Sequence, residues 1–287
     1  MSSSVLISGC SSGIGKACAL HFDRAGWLVF AGVRREEDAR RLEVEGSPRL
    51  HPLHLDITDP ESIAAAAAKL SGQLGAAGLQ GLVNNAGIAR GGPLEYVPLD
   101  EFRRQFDVNV FGTLALTQAF LPLLHAGHGR IVNIGSIAGR VTTPLLGPYC
   151  ASKHALEAMS DALRMELLPL GLYLSLVEPG VVDTPIWEKA TRGGPSVIDR
   201  LPPVGQARYG GMGAALAQML ARAPRRAVPV EAVVRVVDHA LTAARPRPRY
   251  LVGRDARVRL LLQSLLPRRW MDGLILRFFR RLAPRAA

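Results

Sequence analysis

The feature that most constrains the fold of this 287-residue chain is a regular alternation between two hydrophobic patterns. Short apolar runs bounded by turn residues, at 5–8, 27–33, 50–55, 81–84, 130–134, 173–177 and 249–252, predict strands. Apolar residues at helical spacing between them predict helices over 14–25, 60–70, 99–124, 149–168 and 230–243. The five-alanine run inside 60–70 fits this reading, because alanine is the best helix former. Strands that are apolar on both faces and alternate with helices predict an α/β fold, a doubly wound parallel sheet (Rossmann-type) covered by helices on both sides. One domain is expected over residues 1–255, followed by a C-terminal helical extension over 256–287 that is basic and amphipathic. The Gly- and Pro-rich stretch 188–213 has no clear period and reads as a mobile connection or lid.

The net charge of +11 is unevenly placed. From Arg200 onward there are 18 Arg and four acids (Glu231, Asp238, Asp255, Asp272), a net +14, while residues 1–199 carry a net −3. A basic end on a near-neutral body suggests an anionic partner or surface. No nucleic-acid-binding module accompanies the charge, so no nucleic-acid partner is expected. The extension interleaves Arg with Leu, Ile and Phe and carries Trp270, a pattern suited either to peripheral contact with an anionic membrane or to packing over a cleft or subunit interface. With no apolar run of membrane-spanning length and no leader-like N-terminus, a cytoplasmic protein is expected, peripherally membrane-associated at most. Cys10, Cys18 and Cys150 form no C-x-x-C pair, so reduced thiols and no metal site are expected.

Three local patterns carry chemistry. The first strand runs into Gly9-Cys-Ser-Ser-Gly13-Ile-Gly15 and then a helix. Glycines there permit a tight turn and close approach of a pyrophosphate, and the helix end offers N–H groups and its positive dipole end. Tyr149 and Lys153 lie four apart and share one helix face, so the ammonium sits near the phenol and favours its ionised form. Tyr149 could then exchange a proton with a substrate hydroxyl or carbonyl. Ser136 follows the strand at 130–134, at the end where ligands bind in open parallel sheets, and its hydroxyl could hold the reacting oxygen.

Taken together with Ser8-Gly-Cys-Ser-Ser-Gly-Ile-Gly15, Asn84-Asn-Ala-Gly87, Asn109, Ser136, Tyr149-x-x-x-Lys153 and Pro179-Gly180 followed by Thr184, nearly the whole chain resembles the short-chain dehydrogenase/reductase family. Within it the closest likeness is to the 17β-hydroxysteroid and retinol dehydrogenase-like branch. The resemblance implies that Tyr149 is the general acid/base, Lys153 lowers its pKa and holds the nicotinamide ribose, Ser136 orients the carbonyl, and Asn109 supports a water-linked proton path to Lys153. It also implies cofactor contacts from Gly9, Ser11, Ser12, Gly13, Ile14, Gly15, Asp56, Ile57, Asn85, Ala86, Gly87, Pro179, Gly180, Val182 and Thr184. Asp56 would face the adenine and Thr184 the carboxamide. Ser8 stands where the family usually has Thr, which keeps the hydroxyl.

Cofactor choice follows from charge. The second strand ends in Arg34-Arg35 where an NAD site would present an acid, and guanidinium groups suit a 2′-phosphate. NADP(H) is therefore expected, the alternative being that both arginines only start a solvated helix ahead of Glu36-Glu-Asp38. Leu145 and Trp187, with Ser136 and Tyr149, are the expected substrate contacts, and their apolar character suits a hydrophobic alcohol or ketone of steroid, retinoid or fatty-carbonyl type. The expected activity is hydride transfer between NADP(H) and a secondary alcohol or ketone, with an NAD(H)-specific dehydrogenase and a non-catalytic cofactor-binding regulator as alternatives. A homodimer or homotetramer built through the helices at 99–124 and 149–168 is also expected.

Overall fold

Successive side chains of a strand point to opposite faces, and in β1 (Ser4–Ile7) both faces are apolar. Val5 and Ile7 enter one core and Leu6 the other. This pattern forces helices onto both sides of the sheet. The computed structural model describes residues 3–184, 198–222 and 227–283. After β1 the chain runs through α1 (Gly13–Arg24), β2 (Leu28–Val33), α2 (Glu36–Glu45), β3 (Leu50–His54), α3 (Pro60–Leu74) and β4 (Gly81–Asn84). It continues through α4 (Leu99–Phe106), α5 (Thr113–Ala126), β5 (Arg130–Ile134), α6 (Gly147–Leu167) and β6 (Tyr173–Pro179). Then come α7 (Pro203–Arg222), α8 (Val230–Thr242), β7 (Arg249–Val252), α9 (Arg254–Leu265) and α10 (Arg268–Leu282).

The sheet has seven parallel strands in the order β3-β2-β1-β4-β5-β6-β7. Its direction of winding reverses between β1 and β4, which opens a crevice at their C-terminal ends. On one face Phe22 of α1 and Val233 and Val237 of α8 cover Val5, Ile7 and Val132. On the other, Ile63 and Leu70 of α3 and Leu116 and Phe120 of α5 cover Leu6, Leu82 and Ile131. Asp59 caps α3 by accepting a hydrogen bond from the Glu61 N–H at 3.0 Å, and Pro60 fills the first helical position.

The strands and most helices fall where the sequence places them, within a residue or two. The stretch 188–213 is corrected in part, because residues 203–213 belong to α7. Four glycines weaken its sequence signal, but Ala215 packs against Phe279 and Leu282 of α10, and that tertiary burial holds the helix. Residues 188–197 lie outside the described residues. The helix α2 is also additional to the predicted set. Between α4 and α5 the chain forms a π-helical turn over Asp107–Gly112, and the whole segment Leu99–Ala126 is long and apolar enough to cross a membrane by length and composition alone. Half of its most apolar window is buried, with Leu116, Phe120 and Leu124 in the core.

The outermost strand β7 is tied down by charge. Arg249 donates to Glu157 of α6, to Asp161 of α6 at 2.6 Å and to Glu178 of β6 at 2.8 Å. Glu178 is 1% exposed and Glu157 8%, so both need compensation, which this guanidinium supplies at short range, with Arg140 adding a longer contact to Glu178 at 3.5 Å. Burial, then the neighbouring Glu178, push the Glu157 carboxyl above its usual range against the pull of Arg249. Arg249→Met leaves Glu157 without a salt-bridge partner among the described residues and Glu178 with only the longer contact to Arg140 at 3.5 Å, and is expected to lower unfolding free energy by about 3–5 kcal/mol in a urea titration. A loss below about 1 kcal/mol would contradict this account of the edge strand.

Candidate functional site

The glycine turn after β1 is shaped by backbone contact. Gly9 has φ +72° and Gly13 φ +58°, a region open chiefly to glycine. A Cβ on Gly9 would lie 2.8 Å from the Ala86 Cα, and one on Gly15 would lie 2.5 Å from the Gly9 carbonyl oxygen. The end of β4 clamps this turn from the other side. Asn85 Nδ2 donates to the Ser8 and Gly9 carbonyls at 2.9 and 3.1 Å, and Ser8 Oγ accepts from the Asn85 and Ala86 N–H groups at 3.0 Å each. Beneath it, Asn84 Nδ2 donates to Thr117 Oγ1 and to Asn133 Oδ1, and Asn133 donates to Ser160, a buried polar chain joining β4, β5, α5 and α6.

A cleft of about 1100 Å³ opens above the turn. Gly9, Ser11, Ser12, Gly13, Ile14, Arg34, Arg35, Asp56, Ile57, Asn85, Ala86, Gly87 and Thr184 all line it. The glycines leave the floor without side chains, and the start of α1 presents N–H groups that have no partner within the helix. These features fit a pyrophosphate and a dinucleotide. Gly15 packs beneath the turn rather than facing the cleft. Three more residues of the sequence-derived set serve the scaffold. Pro179 ends β6, a Cβ on Gly180 would strike the Asp255 carboxylate at 2.3 Å, and Val182 bridges to Val228. Trp187 lies outside the described residues.

The two arginines differ in their engagements. Arg35 Nε donates to Asp38 at 2.9 Å and its NH1 pairs with Glu37 at 3.1 Å. Arg34 is 60% exposed and only loosely paired, 3.8 Å from Asp56, which leaves its guanidinium facing the cleft. Burial pushes the Asp56 carboxyl up, but the Thr58 N–H and hydroxyl, followed by Arg34, hold it below its ordinary value. Asp38 and Thr58 are the residues that sequence reasoning missed here. Asp38 could have been found from its i,i+3 spacing to Arg35 on α2.

At the other end of the crevice, Ser136 follows β5 while Tyr149 and Lys153 stand on α6, all three buried. The Ser136 hydroxyl is hydrogen-bonded to the Tyr149 phenol, and its Oγ accepts from the Ala138 N–H at 3.1 Å. Lys153 Nζ donates to the Ile134 carbonyl at 2.8 Å. A Cβ added to Gly87 would lie 4.0 Å from Lys153 Nζ and 3.3 Å from Asn109 Oδ1, so that glycine keeps the cleft continuous with both. Asn109 sits in the π-helical turn, accepts from the Ile88 N–H at 2.9 Å, and donates to the Ile88 carbonyl and to Ser152, each at 3.0 Å. Leu145 holds φ +65°, rare for a branched residue, and its carbonyl accepts from the Gly92 N–H at 2.7 Å.

The expected lowering of the Tyr149 pKa by Lys153 is not what the structure gives. Burial pushes the phenol up to about 12, the Ser136 hydrogen bond counters this only partly, and Cys150 adds to the rise. Burial likewise lowers the Lys153 ammonium to about 8, partly offset by Glu157. Desolvation therefore outweighs the pairing that sequence spacing suggested. Raised in this way, the Tyr149 phenol stays neutral at physiological pH. With ring-labelled tyrosine, NMR titration should find Tyr149 still protonated at about pH 10, the ordinary tyrosine midpoint. A phenolate signal below about pH 9 would contradict the dominance of burial.

Comparison with known proteins follows the same lines. The profile described as short chain dehydrogenase matches residues 3–194. The NADPH-dependent 3-dehydrocapnine reductase of Ornithobacterium rhinotracheale is 38% identical over 282 residues, 96% of this chain and 97% of that protein. Retinol dehydrogenase 5 of Mus musculus is 40% identical over 280 residues, 94% of this chain and 87% of that protein. Among solved structures, a Burkholderia cenocepacia short chain dehydrogenase in complex with NADP superposes with TM-score 0.72 at 27% identity, covering 96% of this chain and 98% of its own. A Streptomyces avermitilis short-chain dehydrogenase gives TM-score 0.77 at 28% identity, covering 95% of this chain and 96% of its own.

Proposed function

The chain belongs to the short-chain dehydrogenase family, in its retinol and hydroxysteroid-like branch, and is an oxidoreductase acting on CH–OH groups; we propose that it uses NADP(H) to interconvert a hydrophobic secondary alcohol and its ketone. The observation that carries this reading is the buried Ser136–Tyr149 hydrogen bond, with Lys153 on the same helix as Tyr149 and close to Gly87 of the glycine-floored cleft. The cofactor carried by the NADPH-dependent relative and by the NADP-bound structure supports the choice, as does the exposed Arg34 on the cleft wall. Because Arg35 is held by Asp38 and Glu37, Arg34 is the guanidinium assigned to the 2′-phosphate.

When bound, NADP(H) supplies the hydride exchanged with the carbonyl carbon. The protein handles the oxygen. Ser136 Oγ holds it, and the Tyr149 phenol, protonated at neutral pH, donates the proton that turns it into a hydroxyl. Lys153, itself mostly protonated below about pH 8, lies on the route by which that proton is replaced, and Asn109 braces the turn beside it. The apolar side is formed by the strained Leu145 and its buried neighbour Leu146, with Leu94 packed against Gly147. Tyr209 of α7 donates to Glu95, the neighbour of Leu94, at 2.8 Å, which supports a role for α7 on this side. Two long exposed side chains on the helices expected to pair, Leu99 and Met165, support a homo-oligomer.

Tyr149→Phe should reduce carbonyl reduction at least about a hundredfold while NADPH binding persists, as followed by NADPH absorbance and by equilibrium titration. Full turnover in that variant would overturn the proton-donor assignment. Arg34→Asp should weaken NADPH binding by about ten- to a hundredfold and leave NADH nearly unaffected. Equal losses for both nucleotides would remove Arg34 from the 2′-phosphate. For pH dependence, a base whose pKa is lowered to about 8 loses its proton as pH rises through that value, so carbonyl reduction should decline above it. A reduction rate that climbs from pH 8 to about 10 would contradict this proton supply.

A further inference from the structure

The two C-terminal helices each carry two apolar faces, of which only one is used. In α9, Ala256 and Leu260 pack against Ile137 and Val141. Val258, Leu261, Leu262 and Leu265, at spacing i, i+3, i+4 and i+7, form a second stripe that is exposed. In α10, Ile275, Phe279 and Leu282 pack against α7. Trp270, Leu274 and Phe278, at i, i+4 and i+8, stand exposed on another side, Trp270 by 68% and Leu265 of α9 by 70%. A soluble surface seldom leaves two adjoining helices with such stripes uncovered.

The charge around these stripes selects the occupant. Residues 254–282 contain eight Arg and two Asp, a net +6. One of the acids, Asp255, is turned inward and accepts from the Val181 N–H at 3.0 Å. Arg254, Arg257, Arg268, Arg277, Arg280 and Arg281 are exposed. A second copy of the chain meeting this face symmetrically would set arginines against arginines. An anionic lipid surface accepts both features, with apolar side chains entering the acyl boundary, arginines at the headgroups and a tryptophan at the level between.

We propose that α9 and α10 form a docking surface for an anionic membrane, on which the enzyme lies without crossing the bilayer. The position is functional as well as adhesive. Both helices lean on the turn that follows Ser136: Leu260 of α9 and Met271 of α10 pack with Ile137 and Val141, and Gln263 donates to the Arg140 carbonyl at 2.7 Å. Docking therefore brings the substrate side of the site next to the lipid, where a hydrophobic alcohol or ketone is concentrated. That last consequence rests on the proposed activity. Vesicle binding is measured without turnover, so the two readings fail separately.

The full-length protein is sedimented with vesicles of phosphatidylcholine alone and of phosphatidylcholine with phosphatidylglycerol. Binding is expected to the anionic vesicles, falling at least tenfold as salt is raised. The Leu261→Glu/Leu265→Glu pair should bind at least tenfold more weakly, and the Arg277→Gln/Arg281→Gln pair should lose most of the preference for phosphatidylglycerol. Thermal melting verifies that both variants are folded; if the glutamate pair melts lower, Leu265→Ser repeats the comparison. Three results would overturn the proposal: no binding of the wild type at low salt, equal binding of wild type and folded variants, or a wild-type oligomer that the glutamate pair dissolves while vesicle binding is unchanged.

Discussion

The clamp between the ends of β1 and β4 is the constraint on which the rest of the molecule depends. Asn85 donates to the carbonyls of Ser8 and Gly9, and Ser8 accepts from the backbone of Asn85 and Ala86. These bonds bind the two strands that flank the reversal of the sheet, and they hold the glycine turn in a conformation that leaves the cleft floor bare. Because β4 is fixed there, Gly87 faces Asn109 and Lys153 at a set distance, and the glycine-floored part of the crevice meets the part that holds Lys153. The neighbouring Asn84–Asn133–Ser160 chain carries the same constraint across β5 to α6, which bears Tyr149. Low dielectric strengthens such satisfied networks, and it makes a break in any link costly.

The same burial that makes the network rigid sets the protonation states. Tyr149 and Lys153 move in opposite directions, the phenol up to about 12 and the ammonium down to about 8, because desolvation disfavours whichever form is charged. The result is a neutral donor beside a readily titrated base, an arrangement suited to carbonyl reduction near neutral pH. The buried thiols follow the same rule: Cys18 is pushed up to about 12 chiefly by burial, and Cys10 accompanies it in the core. They are packing residues.

Much of this was legible in the chain itself, for physical reasons. Two-sided apolar strands such as Val5–Leu6–Ile7 have one way to be buried, and glycines at positive φ leave a mark that other residues would not. Tyr149 and Lys153 share a helix face by spacing alone. What spacing could not convey was solvent exclusion, so the direction of the Tyr149 shift came out reversed. Nor could it convey partnership at a distance: Gly180 lies against Asp255, 75 positions later, and the helix that includes residues 203–213 packs through Met212, Ala215, Leu216 and Met219 against α10. Arg34 and Arg35 look alike in sequence, and their partners separate them: Asp38 and Glu37 for Arg35, the more distant Asp56 for Arg34.

The basic, amphipathic end of the chain acquires a location in this account. It folds back as two helices, over α7 and over the turn behind Ser136, and none of its described arginines lines the glycine-floored cleft. The coupling of NADPH to carbonyl chemistry can be measured directly. Wild-type enzyme is presented with a panel of hydrophobic ketones, and NADPH and NADH are compared as reductants by their absorbance loss. Ketone-dependent oxidation of NADPH is expected, with at least about tenfold preference over NADH, the discrimination that one charge-assisted contact provides. Ketone-dependent turnover that favours NADH, or none across the panel with either nucleotide, would contradict it.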